Sequence, residues 1–134
     1  MKQENYRLSI NNVKEAAKII DPIFLNTPQF ISDSLSELFN LSLAVKIETI
    51  NPIRSFKGRG AEVFATKASP ATHLFCASAG NFGQAMAYSC KKKNLRITVY
   101  AGKNANSYKL NRMKALGAEV VLFGEDFDSA KLEA

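Results

Sequence analysis

Apolar residues recur along this chain in two rhythms. Val13, Ala16, Ala17 and Ile20 fall at helical spacing and predict an amphipathic helix over residues 11–20. Asp21-Pro22 ends it, because the residue before a proline is driven out of the helical region. Phe24 to Pro28 reads as extended, with Pro28 holding Thr27 out of helical geometry. Ser34-Leu35-Ser36-Glu37 has capping-box spacing and predicts a short helix through Phe39. Leu43 to Glu48 alternates with the period of a strand and runs into the Gly- and Pro-punctuated stretch Asn51-Pro52-Ile53-Arg54-Ser55-Phe56-Lys57-Gly58-Arg59-Gly60. A helix is expected from about Arg59 to Lys67, and Ser69-Pro70 then breaks the chain.

Beyond residue 70 the pattern becomes regular. Strands are predicted at His73–Ala77, Arg96–Ala101 and Glu119–Phe123, and helices at about Phe82–Lys93, Ser107–Leu116 and Asp128–Ala134, with Gly117 as the residue closing the second of these. Such alternation implies right-handed βαβ crossovers: an α/β fold with a parallel sheet and helices on its faces, a three-layer α/β/α arrangement. The expected organisation is a segment 1–70 that carries the lysine stretch and a βαβ unit 71–134. Three parallel strands that stop within a helix leave an open sheet edge, so the sequence reads as the N-terminal portion of a longer, truncated architecture.

Composition removes several classes of function. The 134 residues suit one ordinary domain. No apolar run reaches the roughly 20 residues of a membrane span, and Met1-Lys2-Gln3-Glu4-Asn5 lacks the features of a leader, so the cytoplasm is the expected location and no membrane partner is expected. Cys76 and Cys90 sit in apolar contexts and read as buried reduced thiols, and His73 is the only histidine, so no metal site is expected. The net charge of +6 is scattered except at Lys91-Lys92-Lys93, which suits a solvated helix end rather than a nucleic-acid surface.

Two stretches carry chemistry. Lys57 lies in a turn where a helix begins; partial desolvation and the positive end of a helix dipole would both disfavour its ammonium form and favour a nucleophilic amine. A lone loop lysine is ordinarily a surface charge, so this stretch needs a second signal. Ala77-Ser78-Ala79-Gly80-Asn81-Phe82-Gly83 supplies one. It lies where a strand's carboxyl end meets a helix N-terminus, the usual place of ligand sites in α/β sheets. Backbone N–H groups there, with Ser78 and Asn81 as side-chain donors, suit a carboxylate or phosphate, although the same pattern serves a plain tight turn.

Together these stretches resemble the fold type II pyridoxal-phosphate enzymes, the tryptophan synthase β-like group that includes threonine and serine dehydratases, serine racemase, and cysteine and threonine synthases. The likeness runs through Thr27-Pro28, Leu35-Ser36, Val45-Lys46-Ile47-Glu48, Ser55-Phe56-Lys57-Gly58-Arg59-Gly60-Ala61, Ser78-Ala79-Gly80-Asn81 and Gly117-Ala118-Glu119-Val120-Val121-Leu122. The continuation Phe123 to Ala130 looks most like the dehydratase branch. The resemblance implies that residues 1–70 hold an arm and the start of the large cofactor domain, and residues 71–134 the small domain. It implies that Lys57 forms the Schiff base with pyridoxal 5'-phosphate and later acts as a base. Phe56 packs near the cofactor, Asn81 hydrogen-bonds its phenolic oxygen, and Ser78, Ala79, Gly80 and Asn81 hold the substrate carboxylate. The activity implied is dehydration and deamination of threonine or serine to a 2-oxo acid and ammonia, in a full-length protein that forms homo-oligomers.

Departures sharpen the expectation. Ala79 stands where racemases of the group carry a second serine, which disfavours racemisation. Phe82 replaces a common histidine, Gln29 a usual leucine, and Pro52-Ile53-Arg54 a common Pro-Thr-Gly, which makes Arg54 either a phosphate or substrate contact or a surface residue. The group's glycine-rich phosphate loop and the residue facing the pyridine nitrogen lie beyond Ala134. The chain alone is therefore expected to bind the cofactor weakly and to be inactive. A synthase of the same fold and a non-catalytic α/β module that binds a small anion or a partner chain remain the alternatives.

Overall fold

A computed structural model gives the fold and describes residues 9–134, so the stretch Met1 to Asn5 read above for leader features lies outside the described residues. Helix α1 (Ile10–Ile19) is capped by Ser9, whose hydroxyl accepts from the Asn12 N–H at 3.5 Å. Its apolar face is where the spacing puts it, yet none of its residues is buried and Val13 is 61% exposed. Val13, Ala16 and Ala17 line an open groove with Leu25 and Val63, and of the three Ala16, half-buried, packs against the core. Pro22–Phe24 is a turn of 3-10 helix that takes in Phe24, the first residue of the segment expected to be extended, because the Asp21 carboxylate accepts from the Ile23 N–H at 2.9 Å and closes the turn. The turn drives Phe24 inward to 1% exposure, edge-on to Tyr88 at 5.5 Å between centroids.

Strand β1 (Gln29–Ile31) was not predicted; three residues are too few to show a period. It pairs antiparallel with β2 (Ala44–Lys46), a shorter strand than predicted, with Phe30 opposite Val45. Between them α2 (Asp33–Phe39) starts from Ser32 rather than Ser34, and Asn40 closes it in the left-handed region at φ 51°. Ser36, part of the expected capping box, instead accepts from the Leu43 N–H at 3.0 Å and ties the loop to β2.

The regular half follows its pattern closely. Strands β3 (His73–Ala77), β4 (Arg96–Ala101) and β5 (Glu119–Leu122) form a parallel sheet in that order. Helices α3 (Lys57–Lys67), α4 (Asn81–Lys92), α5 (Ser107–Ala115) and α6 (Phe127–Glu133) complete the chain. Gly117, at φ +88°, ends α5 in the conformation that only glycine adopts cheaply. Along β4, Ile97 and Val99 enter the core while Thr98 faces the other side of the sheet. There Thr98 donates its hydroxyl to Glu119 at 2.8 Å and lies 2.8 Å from His73 Nε2, a polar ladder across all three strands. Since Thr98 spends its one proton on Glu119, the His73 Nε2–H must be the donor to Thr98.

One buried cluster joins Phe24, Ile53 and Ala61 to Ala85, Met86, Cys90, Val99 and Met113, so α3 packs along α4 across the expected boundary at residue 70. Gly58 makes this possible. A Cβ there would stand 2.4 Å from the Phe24 ring. Glu62 is also inside, 1% exposed; its Oε2 is 3.9 Å from Lys92 Nζ and its Oε1 has no partner among the described residues. Lys92 pairs closely with Asp21, and Ser89 Oγ is the other buried side-chain oxygen without a partner among the described residues.

Candidate active site

The lysine stretch is held by a residue to which sequence reasoning assigned no role. Asn51, buried, accepts from the N–H groups of Ile53 and Ser55 at 3.2 Å each and donates its amide to the Ser55 carbonyl at 3.0 Å. Arg112 of α5 anchors the loop from outside by donating to the Pro52 carbonyl at 2.9 Å. Asn followed by Pro was the signal available for this turn. The loop delivers Phe56 as N-cap and Lys57 as the first residue of α3, with the Lys57 N–H donated to Ser55 Oγ at 3.3 Å.

A network just behind the site explains three more motif residues. Arg59 grips both Glu48 oxygens, at 2.7 and 3.0 Å, and donates to the Phe24 carbonyl at 2.8 Å. Thr27 donates to Glu48 at 3.1 Å, and Lys46 donates to the Thr27 carbonyl at 2.9 Å. Desolvation opposes the Glu48 charge, but the bonds from Arg59 and Thr27 outweigh it and hold its pKa below the ordinary 4.5. Thr27-Pro28, Glu48 and Arg59 thus fix the entry of α3 relative to the β1–β2 ribbon.

Lys57 opens on a cavity of about 530 Å³ lined by Phe56, Phe64, Phe75, Phe82, Met86 and Cys76, among others. Its ammonium lies 4.9 Å from the Phe56 ring centroid, a cation–π contact. The side chain is exposed, so the described residues do not supply the partial desolvation expected. Phe56 is 57% exposed beside it. Cys76 is half-buried rather than buried, and Cys90 is fully buried. Burial pushes both thiols up to about 11, which keeps them protonated at neutral pH.

The second stretch turns differently from its expected use. Ser78 is 6% exposed, and its Oγ accepts from the Gly80 and Gly83 N–H groups at 3.2 and 2.9 Å. Two of the turn's amides are thereby spent inside the protein, and those of Ala79, Asn81 and Phe82 keep no partner among the described residues. Ala79 and Gly80 are half-buried in the turn, and Asn81, the exposed first residue of α4, lines a smaller cavity of about 150 Å³ with Gln84, Tyr108 and Lys109. The packing of α3 on α4 brings the two helix starts to one side of the molecule. Lys57 and Phe82 share the large cavity; Asn81 belongs to the small one. Among the described residues no three His, Cys, Asp or Glu side chains gather as a metal site, and no helix is long and apolar enough to cross a membrane.

A primary amine at a helix N-terminus opens on an aromatic-lined cavity beside the strand-to-helix turn of a parallel α/β unit, and an amine so placed can condense with a carbonyl compound. Comparison with known proteins makes the class specific. Residues 20–134 match the family model described as pyridoxal-phosphate dependent enzyme, and the chain belongs to that family. It is 34% identical to the L-threonine dehydratase biosynthetic IlvA of Staphylococcus aureus, over 95% of this chain and 32% of that protein. Among solved structures it resembles threonine deaminase isoform 2 of Solanum lycopersicum, with TM-score 0.77 and 25% identity over 95% of this chain and 39% of that one. It also resembles serine racemase of Dictyostelium discoideum, with TM-score 0.82 and 28% identity over 92% of this chain and 41% of that one. The chain spans about a third of the length of the curated relatives it matches. The mixed α/β fold with its parallel sheet, expected from the alternation of elements, is the fold of these neighbours.

Proposed function

We propose that this chain contributes the lysine-bearing part of a pyridoxal-phosphate-dependent dehydratase that converts threonine or serine to a 2-oxo acid and ammonia. The observation that carries the reading is Lys57, presented at the first position of α3 and facing an aromatic-lined cavity. The residues present suit the aldehyde end of such a cofactor: an accessible amine, the flanking Phe56 and Phe82 rings, and the Asn81 amide at an adjacent helix start. The cofactor, when bound, supplies the electron sink. Lys57 would then serve as nucleophile and, once its amine is released neutral, as the base that takes the α-proton. Phe56 would pack on the cofactor ring and Asn81 would donate to its phenolic oxygen. The free amides of Ala79 and Asn81 would receive the substrate carboxylate, with Ser78 and Gly80 shaping the turn. Residues 1–70 would form the arm and lysine segment and residues 71–134 the small α/β unit, acting on a small amino acid in the cytoplasm as part of a homo-oligomer. Dehydratase relatives favour this reading over a synthase, and Ala79 in place of a second serine disfavours racemisation.

Trapping tests the lysine even where binding is weak. The chain is mixed with pyridoxal phosphate, reduced with borohydride and mapped by peptide mass spectrometry. Label should concentrate on Lys57 and fall when Asn81 becomes Ala. Equal labelling of Lys57 and the exposed Lys91–Lys93 cluster would overturn the assignment.

A further inference from the structure

Asn81 lines the small cavity and Lys57 the large one, and the two linings are unlike. Arg54, Lys109 and Arg112 converge there with the Asn81 amide and the Tyr108 ring, and no acidic side chain lines it. None of the three cations has a carboxylate partner among the described residues, although Lys18, Arg59, Lys92 and Lys103 all do. Arg112 spends one amino group on the Pro52 carbonyl, and its other N–H groups have no partner among the described residues. Gln84, 6% exposed, lines the same cavity. Both α4 and α5 begin at this cavity, Asn81 being the first residue of one and Tyr108 the second of the other, which adds two helix N-termini to the three cations.

We propose that the cavity between the Ile53-Arg54 loop, α4 and α5 is a binding site for a phosphate-type dianion, which borders the proposed cofactor site at Asn81 and does not use Lys57. At about 150 Å³ it is smaller than the roughly 300–1,000 Å³ of cavities that take drug-sized organic ligands, and it suits one tetrahedral oxyanion. Two guanidinium forks and an ammonium match such an anion in charge and geometry better than they match a single carboxylate. Arg54 holds its place at φ +54°, in the left-handed region where a glycine would rest at less cost. The dianion can be free phosphate or the phosphoryl group of an amino acid, since both present the same oxygens.

The site is tested by NMR titration of the isotope-labelled chain with inorganic phosphate, sulfate, acetate and O-phospho-L-serine. Phosphate and sulfate should give saturable shifts centred on Arg54, Asn81, Gln84 and Lys109, weakened by added salt. Lys109→Ala and Arg54→Gly, the latter relaxing the backbone while removing the fork, should each weaken phosphate binding roughly tenfold or more. Lys57→Ala should leave it unchanged, which separates this site from the cofactor reading whichever of the two fails. Tighter binding of O-phospho-L-serine than of phosphate assigns the dianion to a phosphorylated amino acid; equal binding assigns it to free phosphate. Unsaturable shifts as large at Lys91–Lys93 as at Lys109, or acetate binding as tightly as phosphate, would overturn the proposal.

Discussion

Replacing Gly58 and Gly60 separately by Ala should move stability in opposite directions, although the two residues lie two positions apart in the same helix. At Gly58 a Cβ would stand 2.4, 2.6 and 2.7 Å from three atoms of the Phe24 ring. Carbon atoms in good contact are about 3.5–4.0 Å apart, so the ring must retreat by about 1 Å. It has little room to do so, being 1% exposed and held edge-on by Tyr88. Overpacking of this kind costs about 1–3 kcal/mol, against which alanine's helical advantage returns at most about 1 kcal/mol, leaving a net loss of about 1–2 kcal/mol. At Gly60 nothing lies within 4 Å of the added methyl, so Gly60→Ala should gain about 0.5–1 kcal/mol. Urea or thermal unfolding of the two variants would then separate them by about 2 kcal/mol, or about 6–8 °C in Tm. Phe24→Leu should make space and relieve part of the Gly58→Ala loss in a double-mutant cycle. If Gly58→Ala were as stable as the parent, or the two losses simply added, close packing of α3 on Phe24 would not be what requires glycine beside Lys57.

Acid should destabilise the fold through its depressed carboxylates. Glu48 titrates below 4.5 and Asp21 below 3.8, the latter held down first by the Ile23 N–H and then by Lys92. A depressed folded pKa means the unfolded chain binds the proton first, so the stabilisation is complete above the unfolded value and is lost as pH falls through the folded one. Unfolding followed from pH 6 downward should show this loss beginning near the ordinary carboxylate values, and Glu48→Gln should flatten it; an unchanged profile in that variant would rule out the Arg59 network as its source. Glu62→Met should stabilise the chain by about 1–3 kcal/mol, because it removes a buried oxygen without a partner while Lys92 keeps Asp21. A loss of stability in the same urea assay would show that the Glu62 carboxylate is satisfied.

The sequence by itself determined what repeats or is chemically singular. The alternation beyond residue 70 placed every strand and helix of the parallel unit within a residue or two, because elements of that length show their period. The helix starts near Lys57 and Asn81 were legible from the glycine- and proline-punctuated turns that precede them. The β1–β2 ribbon, the 3-10 turn at Pro22–Phe24 and the true cap of α2 were not, since short elements are settled by partners rather than by pattern. Only the tertiary structure revealed that the apolar face of α1 stays open, that Gly58 yields space to Phe24, and that Ser78 spends its hydroxyl on its own turn. The same holds for the meeting of Arg54 with Lys109 and Arg112, residues more than fifty positions apart. No spacing rule connects them; the packing of α3 and α5 on α4 does.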